Sequence, residues 1–277
     1  MPELPEVETI RKQLSHEMIG AEIGEVEIRV EKIFVGNPSQ VIGQKIAKVS
    51  RVGKYLFVHF ESGRGLAIHL KMTGRIVINS PISNSQILKL FNYETAPHTR
   101  VVINFTDGRR IYYWDTRKFG YLHVSEDIAA SEASVVAKMG SDPWQISDIE
   151  FLRKLQKTGR YIKEAILDQS LLAGVGNIYA NDGLWLARID PRRKANTLKL
   201  SEVKKLRGSL VTVLERGLAT GGASDNSYVD AYGNRGTYQD EFLVYGRTGE
   251  PCHNCGLALK RIVVGGRGTW VCEHCQK

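Results

Sequence analysis

Two groups of residues in this 277-residue chain could do chemistry, and they lie at its opposite ends. Near the C-terminus stands Cys252-x2-Cys255-x16-Cys272-x2-Cys275, a spacing that lets two turns each present two thiolates to one tetrahedral metal ion. Four sulfur ligands close the coordination sphere and leave no position for water or substrate, so one structural Zn2+ is expected. Arg267 lies in the Gly265-Gly266-Arg267-Gly268 turn between the two pairs, which would put a guanidinium at the tip of a β-hairpin finger. At the other end, removal of Met1 would give Pro2 a free α-amine. Its reference pKa of about 8, against about 10.4 for lysine, leaves a roughly hundredfold larger free-base fraction at neutral pH. A secondary amine that adds to a sugar C1′ and opens the ring leaves an iminium, the electron sink that covalent amine catalysis needs, and Glu3 could shuttle the proton.

Charge points to a partner. The net charge is +8, but residues 1–150 carry 18 Lys/Arg against 18 Asp/Glu and residues 221–277 carry 6 against 6. The whole excess lies in residues 151–220, with 14 against 6, which is the footprint expected of a polyanion-binding surface. Within that segment Gly174-Val175-Gly176-Asn177 should open a helix whose first N–H groups could hold a phosphate. No run approaches the roughly 20 apolar residues of a membrane span, and the acidic opening has no apolar signal core. Cysteines confined to two close pairs suit a reducing compartment. A cytoplasmic protein with no membrane association is expected.

Several short motifs recur in one order: PELPEVE at the start, GKYL at 53–56, HLKMTG at 69–74, DTRKFG at 115–120, ILDQSLLAGVGNIYA at 166–180, VYGRTGEPC at 244–252 and the four-cysteine finger. Together they closely resemble the bacterial formamidopyrimidine-DNA glycosylase family, also called 8-oxoguanine DNA glycosylase/AP lyase, from Pro2 to Cys275. The resemblance implies a base-excision-repair enzyme that acts on damaged double-stranded DNA in the bacterial cytosol or nucleoid, as a monomer without an obligate protein partner. It implies Pro2 as Schiff-base nucleophile, Glu3 as the acid that helps open the deoxyribose, Glu6 as a supporting carboxylate, and Lys54 and Arg267 as proton donors for β- and δ-elimination. Met72, Arg117 and Phe119 match residues that fill the helix void left by an everted nucleotide. Taken singly, they read as a core methionine, a surface arginine and a core phenylalanine. Lys163 and Asn177 would meet phosphates, and His98, His69 and Tyr228 complete the expected DNA-contacting set. Two features depart from the family's pattern. The stretch before His98, residues 80–97, is longer than usual, and Asn226 stands where many relatives carry arginine.

Two rivals frame this reading. An endonuclease VIII-type glycosylase would share Pro2-Glu3 but prefer oxidised pyrimidines, whereas Leu4-Pro5, DTRKFG and the form of the finger favour the purine enzyme. A non-catalytic zinc-finger DNA-binding protein would form no covalent adduct with DNA.

These residues need elements to hold them. Pro5 should begin a helix, with Glu6 and Glu8 at the positive end of its dipole and Val7, Ile10, Leu14 and Met18 as its apolar stripe. Between about Glu25 and Val124 the sequence breaks into β-branched and aromatic runs at 55–60, 66–70, 75–79, 100–105 and 109–115. Turn segments such as ESGRG and TDGR separate several of them, and the whole reads as an antiparallel β-sandwich. Residues 80–99 read as a loop. After Asp142-Pro143 the period becomes helical: Ser147 and Glu150 have capping-box spacing, and Val203, Leu206, Leu210 and Leu214 lead to a stop near Gly217. Five glycines in residues 217–239 suggest a long mobile loop. The last 35 residues are too few for a core without a metal staple. The expected fold is therefore α+β and multidomain. A catalytic β-sandwich with an N-terminal helix spans 1–132. A helical DNA-binding domain, with a helix-two-turns-helix element and a glycine-rich lesion loop, spans 133–239. A four-cysteine zinc β-hairpin finger spans 240–277.

Overall fold

The computed structural model describes residues 1–79, 92–225 and 227–277; most of the 80–97 stretch and Asn226 lie outside the described residues. The chain forms two compact units, Met1–Ala137 with Thr220–Thr237, and Lys138–Ala219 with Tyr238–Lys277.

The first unit opens with helix α1, Leu4–Met18, one residue earlier than Pro5 suggests. Glu3 is its N-cap, and a reciprocal capping box joins it to Glu6: the Glu3 side chain accepts from the Glu6 N–H, and Glu6 Oε2 accepts from the Glu3 N–H at 2.7 Å. Pro5 stands in the first turn, where its missing N–H leaves no bond unmade. The predicted stripe of Val7, Ile10, Leu14 and Met18 is buried in the main core.

That core fills the space between two sheets. Among the described residues nine strands supply them: β1 Ile23–Ile28, β2 Phe34–Val35, β3 Ile46–Val52, β4 Tyr55–Phe60, β5 Gly65–His69, β6 Arg75–Asn79, β7 Thr99–Phe105, β8 Arg110–Trp114 and β9 Tyr121–Ser125. One sheet has the order β1-β7-β8-β6 and the other β2-β9-β5-β4-β3. Pairing is antiparallel except for the short β2–β9 contact. Leu56, Val58, Leu66 and Ile68 of one sheet meet Ile76, Ile78, Val101 and Ile103 of the other. Each such side chain, once buried, contributes roughly 1.5–3 kcal/mol. Helix α2, Ile128–Lys138, follows β9.

Residues 220–237, expected to be a mobile loop, are tied to this unit at many points. Their ends pair through Thr237 N–H and Thr220 C=O at 2.9 Å, Ala223 N–H donates to Glu6 Oε1 at 2.8 Å, and Ala231 N–H donates to Gln13 Oε1 at 2.7 Å. Tyr228 and Ala231 belong to the sandwich core. Glycine here serves close approach: a Cβ on Gly222 would stand 2.8 Å from Glu6 Cγ.

The second unit holds α3 Asp148–Gln156, α4 Ile162–Leu167, α5 Asn177–Ala187 and α6 Leu200–Ala219, then the hairpin β10 Lys260–Val264 and β11 Arg267–Val271. Ser147 caps α3 as expected, accepting from the Glu150 N–H at 3.2 Å. Helices α5 and α6 pack closely because glycine removes a side chain at two crossing points. A Cβ on Gly183 would fall 2.6 Å from Leu210, and one on Gly217 would fall 2.3 Å from the Tyr179 hydroxyl. Buried Asp182 on α5 accepts the N–H groups of Leu243, Val244 and Tyr245 and the Tyr238 hydroxyl, which fixes the segment entering the finger.

Candidate active site and metal centre

In the first unit, Pro2, Glu3 and Glu6 are buried at the start of α1. The capping box holds the Glu3 backbone, while the second Glu6 oxygen takes the Ala223 N–H. Glu6 therefore joins the chain start to the glycine-rich segment. Lys54 lies in the two-residue loop between β3 and β4, where Val52 pairs with Tyr55. Gly53 supplies the positive φ of 55° that the first position of such a type II′ turn demands. Lys54 is 7% exposed.

His69 ends β5. Burial, and then the charges of Lys71 and Lys54, push its pKa down to about 3. Its Nδ1 accepts the Lys71 N–H at 2.9 Å, so the neutral ring carries its proton on Nε2. His98 is half-buried; its Nδ1 accepts from Arg100 Nη2 at 3.0 Å, and its ring meets Trp114 edge-on at 5.3 Å. Tyr228, expected among the DNA contacts, is instead buried with its hydroxyl 3.4 Å from the Glu6 carbonyl. Burial, and then the charges of Glu6 and Asp230, raise its pKa well above the ordinary tyrosine value, so it stays a neutral core residue.

Met72, Arg117 and Phe119 come together. Arg117 Nη1 donates to Met72 Sδ at 3.0 Å, and its guanidinium lies 4.6 Å from the centre of the Phe119 ring. Met72 is 43% and Phe119 52% exposed, so neither is the core residue that composition alone suggests.

In the second unit the sequence-predicted residues converge on the finger. The hairpin turn is Gly265-Gly266, with φ of 56° and 72°, and Val264 pairs with Arg267 across it. Exposed Arg267 is thus the first residue after a two-glycine turn. Lys163, expected on a phosphate, is 0% exposed. Its Nζ donates to the Gly268 carbonyl at 2.8 Å and the Thr269 hydroxyl at 2.7 Å. A lysine enclosed in this way anchors backbone and does not present its charge to solvent. Asn177 Nδ2 donates to the same Gly268 carbonyl at 3.1 Å, and Asn181 Oδ1 accepts the Trp270 N–H at 2.9 Å.

The four cysteine sulfurs lie within 4.8 Å of one another. A zinc tetrahedron with bonds of about 2.3 Å requires sulfurs roughly 3.8 Å apart, and the pairs Cys252–Cys275 and Cys255–Cys272 stand at 3.9 and 3.5 Å. Trp185 Nε1 and Asn254 Nδ2 donate to Cys252 and Cys275, the donor set a thiolate cluster wants. The site fits one structural zinc.

Three family models match consecutive stretches: the formamidopyrimidine-DNA glycosylase N-terminal domain over residues 1–122, the H2TH domain of the same enzymes over 139–243, and the zinc finger found in FPG and IleRS over 249–277. The chain belongs to the formamidopyrimidine-DNA glycosylase (Fpg) family. It is 37% identical to the Fpg of Ligilactobacillus salivarius, covering 100% of this chain and 99% of that one, and 41% identical to that of Desulfitobacterium hafniense, covering 100% of both. The Fpg crystal structure from Thermus thermophilus superposes with a TM-score of 0.86 at 35% identity, covering 99% and 98% of the two chains. The Lactococcus lactis Fpg in complex with abasic-site DNA superposes with a TM-score of 0.86 at 32% identity, covering 99% of each.

Against that Fpg background, sequence reasoning passed over Asp115 and Thr73, which hold the Met72 and Phe119 turns, and Asn181, which holds β11. Asp115 carried a readable signal: an aspartate whose carboxylate accepts the N–H two residues on forms an Asx turn, and Arg117 N–H donates to it at 3.1 Å. Asn181 carried none, because only the fold brings it to Trp270.

Proposed function

We infer that this chain is a bifunctional DNA glycosylase/AP lyase of base excision repair, which removes 8-oxoguanine and formamidopyrimidines from damaged duplex DNA and then cuts the strand by β,δ-elimination. The observation that carries this reading is the exposed cluster of Met72, Arg117 and Phe119, a soft filler, a hydrogen-bond donor and an aromatic wedge in mutual contact. Such a cluster has little reason to stay in water unless it enters a base stack.

In this reading, the Pro2 amine, freed by loss of Met1, attacks C1′; the glycosidic bond breaks and the base leaves with the proton that the amine gives up. Glu3 gives a proton to O4′ as the ring opens, and an iminium links Pro2 to C1′. Water takes a C2′ proton as the 3′ phosphate leaves, and in a second elimination water takes the C4′ proton as the 5′ phosphate leaves. Lys54 and Arg267 supply the protons for these two steps, and water releases Pro2 by hydrolysing the iminium. Glu6 keeps Glu3 in place. His98 and Asn177 contact DNA, and His69 contributes its Nε2–H. Zinc shapes the finger that carries Arg267 and takes no part in the bond-breaking steps. By function the chain divides into a catalytic part, 1–132, a DNA-gripping part, 133–239, and the finger, 240–277. No helix among the described residues is long and apolar enough to cross a membrane, and the relatives are bacterial proteins. We place the enzyme in the cytoplasm, at the nucleoid.

Duplexes with 8-oxoguanine, formamidopyrimidine or thymine glycol, each opposite C and A, test the reading. Excision of the two purine lesions opposite C, with a borohydride-trapped adduct on Pro2, is expected. Preference for thymine glycol would indicate a pyrimidine enzyme, and absence of any trapped adduct would indicate a binding protein.

A further inference from the structure

Asp115 is 0% exposed, and both of its carboxylate oxygens are occupied by donors from the two turns that carry the exposed cluster. Oδ1 accepts from the Thr73 hydroxyl and from the Arg117 N–H at 3.1 Å. Oδ2 accepts from the N–H groups of Phe119 at 3.0 Å and Gly120 at 2.9 Å. Thr73 adjoins Met72, so one carboxylate fastens the turn at 71–74 to the turn at 115–120. Thr73 Oγ1 also accepts the Arg117 N–H at 3.2 Å, which closes the ring of bonds.

Both turns need holding. In each, the residue before the exposed apolar side chain is a lysine with left-handed backbone: Lys71, φ 51°, precedes Met72, and Lys118, φ 56°, precedes Phe119. That conformation is unfavourable for a residue with a Cβ and persists where its surroundings over-determine it. The Tyr113 side chain lies between the two turns and limits their movement. A Cβ on Gly120 would fall 1.8 Å from its hydroxyl, and one on Gly74 would fall 2.7 Å from it.

We propose that Asp115 is a positioning residue which, through Thr73, locks Met72 against Arg117 and Phe119 before DNA arrives, so that the three enter the stack as one preassembled wedge. The inference rests on the reading of this chain as a lesion glycosylase. Unstacking of the everted nucleotide must be offset as it happens, and a filler that had to order itself at that moment would add an entropic cost of its own. An acceptor-only carboxylate suits the task, since every one of its partners is a donor.

Thr73→Val keeps the side-chain shape and deletes the hydroxyl, whereas Thr73→Ser keeps the hydroxyl. Single-turnover excision of 8-oxoguanine opposite C, cleavage of a preformed abasic duplex, and stopped-flow fluorescence of 2-aminopurine beside the lesion separate the possibilities. Thr73→Val should slow both the eversion signal and excision by about tenfold, equivalent to about 1.4 kcal/mol. It should leave abasic cleavage nearly unchanged, and Thr73→Ser should behave as the unaltered protein. Asp115→Asn should lose more in the same pattern, because an amide N–H2 would face backbone donors. The proposal is overturned if Thr73→Val matches the unaltered protein on lesion duplex, if it slows both substrates equally, or if eversion is unaffected. If Asp115→Asn does not fold, the Thr73 pair still decides. If the unaltered protein excises no lesion at all, the functional reading fails and this inference falls with it.

Discussion

Lys163 Nζ lies 2.8 Å from the Gly268 carbonyl, one residue beyond Arg267. A buried ammonium on α4 and the Asn177 amide at the start of α5 thus share one acceptor in β11. The base of the finger is fixed to the helices where Arg267 leaves it. Lys163→Met should therefore alter what Arg267 does. The expected result is a stability loss of roughly 1–3 kcal/mol from the buried bonds that Lys163 makes to Asn181, Gly268 and Thr269, with strand products shifted from δ- toward β-elimination on a sequencing gel. The salt dependence of DNA binding distinguishes this from a phosphate contact. Loss of a phosphate-bound lysine lowers the slope of log K against log salt by about one, and Lys163→Met should leave the slope unchanged.

Much of the fold was legible in the sequence because period and turn chemistry agreed. The strand at 75–79 and the cap at Ser147 appear where expected. The four cysteines meet as their spacing requires, since ligand geometry is a short-range constraint. Where long-range packing decides, the sequence misled. Glycine-rich residues 220–237 have the composition of a loose loop, yet their backbone N–H groups end on Glu6 and Gln13, more than two hundred residues away. Lys163 has the residue type of an exposed phosphate ligand, yet the fold encloses it. Asp115 lies within a recognisable motif, but no local spacing points to Thr73, 42 residues away, as its partner.

Zinc removal should unfold the finger alone. Its apolar cluster is built around Val244, Cys252, Leu259 and Cys272, two of them ligands, so the metal's binding energy is most of its folding energy. Chelation, or Cys272→Ser, should abolish DNA binding and reduce bound metal from one equivalent per chain, while the sandwich retains its far-UV signal. Normal cleavage by metal-free protein would contradict this.

Acid should weaken the first unit through His69. The unfolded ring takes a proton near 6.5, whereas the folded ring resists protonation down to about 3. Below 6.5 the unfolded state therefore binds more protons, so stability is full above that pH and declines as the pH falls toward 3. His69→Gln removes this group's share. Its urea midpoint should fall less steeply between pH 6.5 and 4 than that of the unaltered protein; parallel slopes would show that His69 is not the source.

Arg117 should matter in two separable ways, because its guanidinium joins Met72 to Phe119 while remaining exposed. Arg117→Ala breaks that link and removes a donor that cytosine's acceptors could take and adenine would match poorly. Excision opposite C should fall by about tenfold, the equivalent of one good polar contact of about 1.4 kcal/mol, and the preference for C over A should shrink with it. Phe119→Ala removes the wedge but leaves the donor, so it should slow excision while the preference for C persists. At a preformed abasic site no base leaves the stack, so both variants should cleave at nearly the unaltered rate. Single-turnover rates on lesion and abasic duplexes, each opposite C and A, give all of these ratios. Equal losses on every substrate would mean that the cluster grips DNA generally and has no special part in eversion.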